Sequence, residues 1–436
     1  MKVNFFKAFD YFIFFSVLIL VTTGIFFIYS SGINSEGLNV SNEFIKQIIW
    51  ACIGIVLMIF MTFVDYRRLN RFAPFLYLFL VLILIYTKIF GKYVNGARSW
   101  LGFGGFGIQP SEFCKIIYIM FLAWYFERTS NEKEFKRFFI SVLIFLVPFG
   151  LILLQPDLGT ASVYIPIFLI MSFVAGVPLR YIFLVLLGGS FTILFAVLPI
   201  WQKEIAHASY FFINILLNPT FSLLLIITFG LICFVSILGY IFFPNKRYYY
   251  WIAYVSGIIA ASLIFSKLCG MFLKDYQIKR LIVFIDPSSD PRGAGWNIIQ
   301  SKIAIGSGSL LGQGFLEGTQ SHYRFLPQQS TDFIFSILAE ELGFLGGLFV
   351  YFLYFIILMR IINIIKNTSN TFGFYIASGI LGMFFFHFIV NVGMVMGIMP
   401  ITGIPLLFLS YGGSSLLTAM LCVGMLMSIN SHKFEF

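Results

Sequence analysis

The chain has 436 residues, of which 60% are hydrophobic and 11% are charged, and its formal net charge at pH 7 is +10. Its mean hydropathy is +0.95, and its 57 phenylalanines outnumber all of its charged side chains together. This composition excludes a water-soluble globular domain. We expect the chain to contact membrane lipid and to bind no nucleic acid.

Apolar stretches follow one another along the whole chain, and about 20 apolar residues make one helical crossing of a bilayer. We predict an all-α membrane bundle of twelve helices that forms one domain over residues 1–436. The first stretch is long and lacks a small-residue cleavage site, so we expect a retained helix and not a signal peptide. The predicted helices span residues 11–30, 45–64, 73–90, 111–126, 138–154, 158–175, 181–200, 221–243, 249–270, 332–358, 372–397 and 405–428.

Lysine and arginine residues follow alternate helices, and cytoplasmic loops carry most of the basic residues of a membrane protein. Both chain termini are therefore expected in the cytoplasm. Two outer loops depart from this rule: residues 91–115 include Lys92, Arg98 and Lys115, and residues 271–331 include six basic side chains. One explanation is that long loops cross regardless of their charge. The other is an anionic ligand, with phosphate as the usual partner of arginine and lysine.

The largest interval between predicted helices contains the polar stretch IDPSSDPRGAGWNIIQSKIAIGSG at 285–308. Pro287 and Pro291 remove backbone donors and favour extended conformations before them, so Asp290 is expected on a bent, non-helical segment. The apolar residues after Trp296 predict a short helix lying in the membrane interface. A carboxylate beside apolar surface and several cations is a candidate general base; an ordinary loop aspartate that caps the next turn is the alternative.

A second polar group begins the fourth predicted helix with the sequence QPSEFCK at 109–115. Ser111 is expected to cap the helix, and Glu112 and Lys115 lie three residues apart and therefore on one helical face. Charged side chains inside an apolar span face the bundle interior or a wet cavity. The pair is a candidate part of a substrate cavity, and a purely structural ion pair is the alternative.

Two further stretches combine glycine and proline with polar residues. In LLQPDLGTA at 153–161, Asp157 is expected to cap the next helix, so we favour a structural role. The stretch NVGMVMGIMPITGIPLLFLSYGGSS at 391–415 predicts broken helices at membrane depth, which are stable only where protein or a cavity satisfies the backbone. Asn391 should therefore have a hydrogen-bond partner, whereas His387 is expected to be a satisfied helix histidine and not a ligand.

Four stretches of the chain together resemble the motifs of the SEDS family (shape, elongation, division and sporulation). They are QPSEFCK, LQPDLGTA, the long stretch from DPSSDPRGAG through AEELGFLG, and NVGMVMGIMPITGIPLLFLSYGGSS. They stand in the family's order and cover nearly the whole chain. The stretch IAIGSG followed by GQGFLEGTQS is more similar to the elongation branch than to the division branch. The resemblance implies a bacterial peptidoglycan glycosyltransferase that polymerises lipid II at the outer face of the cytoplasmic membrane. It also implies a partner, a class B penicillin-binding protein that crosslinks the strands.

The same resemblance implies which residues serve the reaction. Asp290 matches the family's essential loop aspartate, and Glu112 and Lys115 match the polar pair of its central cavity. An acceptor hydroxyl attacks the anomeric carbon while undecaprenyl pyrophosphate leaves, so one carboxylate as general base suffices for inversion, and cations stabilise the leaving charge. The further candidate site residues are Arg98, Trp100, Arg280, Gln300, Ser301, Lys302 and Asn391.

The resemblance leaves several points open. The usual member has ten spans, whereas twelve are predicted here, so residues 221–270 are predicted to be an inserted hairpin. Residues 271–331 are predicted to form the large extracytoplasmic catalytic loop. The five scattered cysteines lack metal spacing, and no all-protein metal cage is expected, although Mg²⁺ or Mn²⁺ could bridge Asp290 and the pyrophosphate. A lipid II flippase, a scaffold for the penicillin-binding protein and a member of the division branch remain alternatives.

Overall fold

The computed structural model describes residues 9–94, 96–103, 106–206, 208–243, 246–272, 280, 283–287, 293–326 and 328–432. Within these ranges the chain is an α-helical bundle with one small sheet, and the predicted all-α membrane class is confirmed. The helices are α1 (Tyr11–Ser31), α2 (Glu43–Phe63), α3 (Tyr66–Phe90), α4 (Pro110–Arg128), α5 (Glu134–Leu154), α6 (Leu158–Val174), α7 (Leu179–Trp201), α8 (Phe211–Leu217), α9 (Pro219–Phe242), α10 (Arg247–Phe272), α11 (Ala294–Ser307), α12 (Thr319–His322), α13 (Ile334–Asn367), α14 (Thr371–Val395) and α15 (Gly413–Ser431).

Ten helices in the described part of the chain are long and apolar enough to cross a membrane, so this is an integral membrane protein. They are α1, α2, α3, α5, α7, α9, α10, α13, α14 and α15. The other two predicted crossings coincide with α4, whose ends carry charged residues, and with α6, which has 17 residues. Helices satisfy their own backbone hydrogen bonds, so apolar runs of this length fold as helices in hydrocarbon.

One clear departure from the predicted spans lies between α14 and α15. The predicted spans end at residue 397 and resume at 405, but α14 ends at residue 395 and α15 begins only at residue 413. Gly397 has a φ of +72°, which lies outside the right-handed helical region, and Pro400 and Pro405 lack backbone donors. Together these residues interrupt regular helical hydrogen bonding in this segment. Residues 396–412 form an irregular connection, named the α14–α15 break below.

A three-stranded antiparallel sheet, which the sequence analysis did not predict, connects α3 to α4. Its strands β1 (Lys92–Val94), β2 (Ala97–Phe103) and β3 (Phe106–Ile108) follow in chain order. The strands have three to seven residues and no sustained apolar alternation, so sequence periodicity does not mark them. Arg98 and Trp100 lie two residues apart on β2 and therefore on the same face of the strand.

The starts of α4 and α6 test two predicted helix caps. Asp157 caps α6, because its Oδ1 atom accepts a hydrogen bond of 3.1 Å from the Thr160 amide, and this prediction is confirmed. The prediction for Ser111 is wrong. The helix α4 follows Gln109 and begins at Pro110, and no side chain caps it. Proline is favoured at the first helical position, because the donor that it lacks would have no partner within the helix.

Residues Met1–Val177 and Trp296–Phe436 form one compact unit. The helix α4 packs in it against α3, α5, α6, α14 and α15, and most of the apolar part of α14 and α15 is buried. The starts of α4, α6 and α15 meet at one end, beside the sheet, and we name this end the sheet face. At the other end, named the opposite face, the end of α4 lies beside the starts of α3 and α14.

Residues Pro178–Gly295 form a second compact unit. In it α9 packs against α10, and α10 packs against α7. Two side chains of α10 reach backbone carbonyls of α7: Tyr254 donates to Arg180 (2.6 Å), and Ser262 donates to Gly188 (3.1 Å). The helices α9 and α10 coincide with the predicted hairpin at 221–270. That this hairpin is an insertion, and that residues 271–331 form a catalytic loop, stay predictions.

Candidate functional site

A buried ion pair lies in the first turns of α4. Glu112 and Lys115 are three residues apart, so helix geometry brings their side chains to one face, as predicted. The Nζ atom of Lys115 lies 2.7 Å from Oε1 of Glu112, and the side chains of Lys115 and Glu112 are 0% and 5% exposed. An ion pair this deep is stable only when further hydrogen bonds satisfy its remaining polar atoms. The partners of the pair therefore define the site.

His387 is the third member of this group. It is fully buried on α14, and its Nε2 atom lies 3.2 Å from Nζ of Lys115. Its Nδ1 atom lies 3.0 Å from the carbonyl oxygen of Pro405. A carbonyl can only accept, so we assign the ring proton to Nδ1, and Nε2 then accepts a hydrogen from the Lys115 ammonium group. This histidine is satisfied as expected, but its partners are the site itself.

The residue that precedes α4 joins three of the sequence motifs at the sheet face. Gln109 donates from Nε2 to Oδ2 of Asp157 (2.7 Å) and to Oγ1 of Thr160 (3.2 Å). Its backbone amide donates to Oγ of Ser414 (2.9 Å). Asp157 and Thr160 belong to LQPDLGTA, and Ser414 belongs to YGGSS. The starts of α4, α6 and α15 are thus held in one hydrogen-bonded network, one turn from Glu112.

The α14–α15 break borders this group, and side chains satisfy several of its backbone carbonyls. Asn391 donates from Nδ2 to the carbonyl of Ile404 (2.8 Å) and to that of Asp332 (3.1 Å), so its predicted partners are present. The irregular backbone is therefore satisfied by protein, as broken helices at membrane depth require. The further donor and carbonyl pairs in the break are His387 with Pro405, Tyr354 with Leu407, and Gln47 with Ser410.

Several buried polar atoms of this region have no hydrogen-bond partner in the described part of the chain. Among them are Oε2 of Glu112, Oγ of Ser111 and Oδ1 of Asn391. An unsatisfied buried oxygen is costly, most of all on a carboxylate, and a ligand hydroxyl, a ligand amide or a water can supply the missing donor. Oε2 of Glu112 therefore keeps an unused accepting position in the interior of the bundle.

Two predicted site residues on α11 have different surroundings. Ser301 is fully buried, and its Oγ atom lies 2.7 Å from Oγ of Ser336 and 2.7 Å from the carbonyl of Val395. It therefore ties α11 to α13 and α14. Lys302 is exposed, and it crosses the backbone of Gly397 so closely that an added Cβ there would lie 2.3 Å from the lysine Cε. Ser301 acts as an anchor, whereas Lys302 presents its charge at the surface.

The remaining predicted site residues are less well defined by the structure. On β2, Arg98 is exposed and Trp100 is half-buried. Gln300 is buried on α11, and Arg280 is half-buried in the second unit. Asp290 lies outside the described residues, between Pro287 and Gly293 in the sequence. The roles assigned to these residues stay predictions.

Two adjacent carboxylates on α13, which the sequence analysis did not single out, hold the segment that follows α11. Glu340 is fully buried and accepts hydrogen bonds from the amides of Gln320 (2.7 Å) and Ser321 (3.2 Å). It thereby satisfies the first amides of α12, which have no partner within the helix. A signal was available: two acidic residues in an apolar span are rare and call for partners.

Glu341 completes this attachment. It accepts a hydrogen bond from the Leu316 amide (3.2 Å) and one from the Ser30 hydroxyl on α1. Two residues later, Gly343 has a φ of +67° and interrupts the regular helix. A Cβ at Gly343 would lie 2.3 Å from the amide nitrogen of Gly312, so glycine lets the segment pack directly on α13.

Among the described residues, no group of three histidine, cysteine, aspartate or glutamate side chains is arranged to hold a metal ion. The cation considered for Asp290 concerns a residue outside the described ranges, so its ligands stay a prediction.

Residues 10–220 and 207–435 match the FtsW, RodA and SpoVE family, described as cell cycle proteins. The chain is 51% identical over 433 residues to a Treponema pallidum (strain Nichols) protein named peptidoglycan glycosyltransferase RodA, covering 99% of this chain and 100% of that one. It is 32% identical over 380 residues to peptidoglycan glycosyltransferase MrdB of Escherichia coli (strain K12), covering 87% and 83%. A chain solved in a peptidoglycan synthase complex shares the fold, with a TM-score of 0.68, 24% identity and coverage of 98% and 99%.

Proposed function

The chain belongs to the FtsW, RodA and SpoVE family, and from this we propose that it is a RodA-type peptidoglycan glycosyltransferase that polymerises lipid II during cell elongation. The observation that carries the proposal is the 51% identity to the Treponema pallidum protein over essentially the full length of both chains. The meeting of three motifs at Gln109, beside the buried pair of α4, supports a shared site in that fold.

The proposed reaction needs one base and a stabilised leaving group. Asp290 takes the proton of an acceptor hydroxyl as that oxygen attacks the anomeric carbon of the donor, and the bond to undecaprenyl pyrophosphate breaks with inversion. A diphosphate leaves as a weak base, so cations that stabilise its charge replace a general acid. We assign this task to Arg98, Arg280 and Lys302, and the exposed charges of Arg98 and Lys302 support it.

We assign Glu112 and Lys115 to substrate positioning and not to proton transfer. Lys115 already donates to two protein acceptors, Glu112 and His387, so its ammonium group is held in place. The orphaned Oε2 atom of Glu112 can accept from a sugar hydroxyl or an amide of lipid II. Trp100 is proposed to face the substrate. Asn391 holds the backbone of the α14–α15 break in place.

The membrane, the orientation and the partner are further parts of the proposal. We infer a bacterial cytoplasmic membrane with both termini in the cytoplasm, which puts the sheet face outside. Arginines at the opposite face support this, because basic residues concentrate on the cytoplasmic side. A class B penicillin-binding protein is the proposed partner. Support comes from the synthase complex that contains this fold, which is described as coordinating polymerization and crosslinking.

Reconstitution into vesicles with labelled lipid II tests the proposal. The purified chain is assayed alone and with a class B penicillin-binding protein, and glycan strands are the expected product. Transfer of lipid II between leaflets without polymer indicates a flippase. The absence of both transfer and polymer indicates a scaffold.

A parallel reaction with chelator tests the proposed Mg²⁺ or Mn²⁺: if a cation bridges Asp290 and the pyrophosphate, polymer is lost on chelation and restored by added metal.

Cells depleted of the protein separate the two branches of the family. Loss of an elongation polymerase is expected to give short, rounded cells, because side-wall synthesis stops while septa still form. Filaments without septa would instead assign the chain to the division branch. The two readouts are exclusive, so the result decides the branch independently of the vesicle assay.

A further inference from the structure

A cavity of about 480 Å³ lies at the opposite face, between the start of α3 and the end of α4. Arg67, Asn70 and Arg71 contribute one wall, and Trp124 and Arg128 contribute the other. The spacing of three and four residues on each helix turns these side chains toward one another across the helix pair. The end of α4 lies about 20 Å along its axis from Lys115, so this cavity is separate from the site described above.

The cavity has an excess of positive charge. Three guanidinium groups line it together with one carboxylate, that of Glu127. Both oxygens of Glu127 already accept from neutral donors, Oε2 from Asn70 (2.5 Å) and Oε1 from Thr371 (2.8 Å). Within the described residues, Arg71 and Arg128 form no ion pair. The third guanidinium group, that of Arg67, is paired with Asp65 at 3.1 Å. Arg71 and Arg128 therefore supply the cationic charge without an anionic partner among the described residues, which is the electrostatic condition for binding an anion.

The cavity also has the features of a membrane interface. The guanidinium carbon of Arg128 lies 4.7 Å from the ring centroid of Trp124, a cation–π contact. Tryptophan is enriched where the bilayer meets water. Next to the cavity on α3, Phe72 and Phe75 are 54% and 71% exposed, which provides apolar surface for an acyl chain. A soluble anion would not need this apolar surface.

We propose that this cavity binds the phosphate group of an anionic phospholipid. Basic pockets between transmembrane helices bind lipid head groups, because arginine pairs with phosphate oxygens through two hydrogen bonds at once. The volume is within the range of small-molecule sites. The lipid contacts both α3 and α4, so it links the packing of α4, which carries Glu112 and Lys115, to the composition of the surrounding leaflet.

Arg68 offers a matched control, because it has the same charge and sequence neighbourhood but lies outside the cavity lining. Its side chain is 84% exposed, and it forms an ion pair with Asp65 at 4.0 Å. The general preference for basic residues at the cytoplasmic side accounts for Arg68 as well as for Arg71. It does not account for binding that depends on Arg71 and Arg128 and not on Arg68.

Native mass spectrometry of the purified full-length chain, titrated with phosphatidylglycerol, tests the proposal. Neutralising one cavity arginine is expected to weaken binding about fivefold, and the double variant Arg71→Gln/Arg128→Gln about thirtyfold. Arg68→Gln is expected to bind like the parent. The double variant Arg71→Lys/Arg128→Lys keeps the charge and should retain an intermediate affinity, which excludes misfolding as the cause of the loss. Phosphatidylcholine and inorganic phosphate are the competing ligands, and neither should displace phosphatidylglycerol.

Three outcomes would overturn the proposal. Equal losses in Arg68→Gln and the double glutamine variant would show diffuse attraction and no site. Parental affinity in the folded glutamine and lysine double variants would show that the cavity is not used. Displacement by inorganic phosphate at equal concentration would assign the cavity to a soluble anion and not to a lipid.

Discussion

Lys115 and His387 are 272 residues apart in sequence, yet Nζ of the lysine lies 3.2 Å from Nε2 of the histidine. The other ring nitrogen of His387 is bonded to Pro405 in the α14–α15 break. The ion pair of α4 is thereby connected through one imidazole ring to irregular backbone that follows α14. A shift of the α14–α15 break should therefore displace the charged pair, and a change in the charged pair should displace the break.

Replacing His387 by leucine should lower both stability and polymer synthesis. The change leaves a hydrogen of Lys115 and the carbonyl of Pro405 without partners, at a cost of about 1–3 kcal/mol for each buried group. His387→Gln should recover much of the loss, because its amide can donate to the carbonyl and accept from the ammonium group. Thermal unfolding in detergent and polymer yield from lipid II measure the two effects. A leucine variant as stable as the parent would contradict the assigned contacts.

The pair Glu112 and Lys115 should behave as a coupled unit in unfolding but not in activity. Glu112→Gln leaves a buried ammonium group without its charge partner, which is expected to cost about 3–5 kcal/mol. Adding Lys115→Met removes that charge, so the double variant should be more stable than Glu112→Gln alone. Polymer synthesis should stay low in both variants, because the positioning groups are absent. Additive losses of stability in the double-mutant cycle would rule out the coupling.

Asp290→Asn should reduce polymer synthesis by about 100-fold to 10,000-fold without changing the unfolding temperature, since an amide cannot act as a general base. Asp286→Asn is the matched control, because Asp286 also precedes a proline in the same segment. The control should keep most of its activity. Labelled lipid II, the partner protein and separation of strands by gel measure the yield. Normal strands from the Asp290 variant would remove this residue from the mechanism.

Glu340→Gln should loosen the segment after α11 before it affects the rest of the bundle. The carboxylate accepts hydrogen bonds from two backbone amides of α12. In the glutamine variant the side-chain NH₂ group would face one of those amides, and it cannot accept a hydrogen bond. Hydrogen exchange of the Gln320 and Ser321 amides should accelerate in the variant. Glu317→Gln, an exposed change in the same segment, should leave exchange unaltered. Equal exchange in both variants would argue against the attachment.

Gly343→Ala should destabilise the protein, because φ is +67° there and the new Cβ would lie 2.3 Å from the Gly312 amide nitrogen. Strain of this kind costs about 1–3 kcal/mol or more. Gly150→Ala on α5 is the control: a Cβ there meets nothing within 4 Å, and alanine favours a helix by about 0.5–1 kcal/mol. Opposite shifts in unfolding temperature are expected. A neutral Gly343→Ala would show that the kink is not required.

Ten of the twelve predicted crossings coincide with helices that are long and apolar enough to cross a membrane within the described residues. They could be predicted because each is a continuous apolar run, and hydrocarbon leaves such a run no alternative to a helix. The limits of α15 could not be predicted in this way. The residues of the break are as apolar as a helix, and only the positions of Gly397 and the prolines distinguish it. The sheet between α3 and α4 was missed because its strands are too short for a periodic pattern.

In the site, sequence reasoning identified what is local and missed what is distant. The spacing of Glu112 and Lys115 fixes their contact within one helix. The contact with His387 depends on how α4 packs against α14, which no spacing reports. Glu340 was overlooked although an acidic pair in an apolar helix is a visible signal. Ser111 was assigned a cap because serine is common there, but the preceding proline takes the first helical position.

The α14–α15 break depends on side chains from separate parts of the bundle, among them Gln47 on α2, Tyr354 on α13 and His387 on α14. Each of them holds a different carbonyl of the same short segment. Lipid-facing positions can exchange one hydrocarbon group for another with little effect. These donors can change only in concert with the turn that they support, so the break should restrict the sequence variation that this bundle can accumulate.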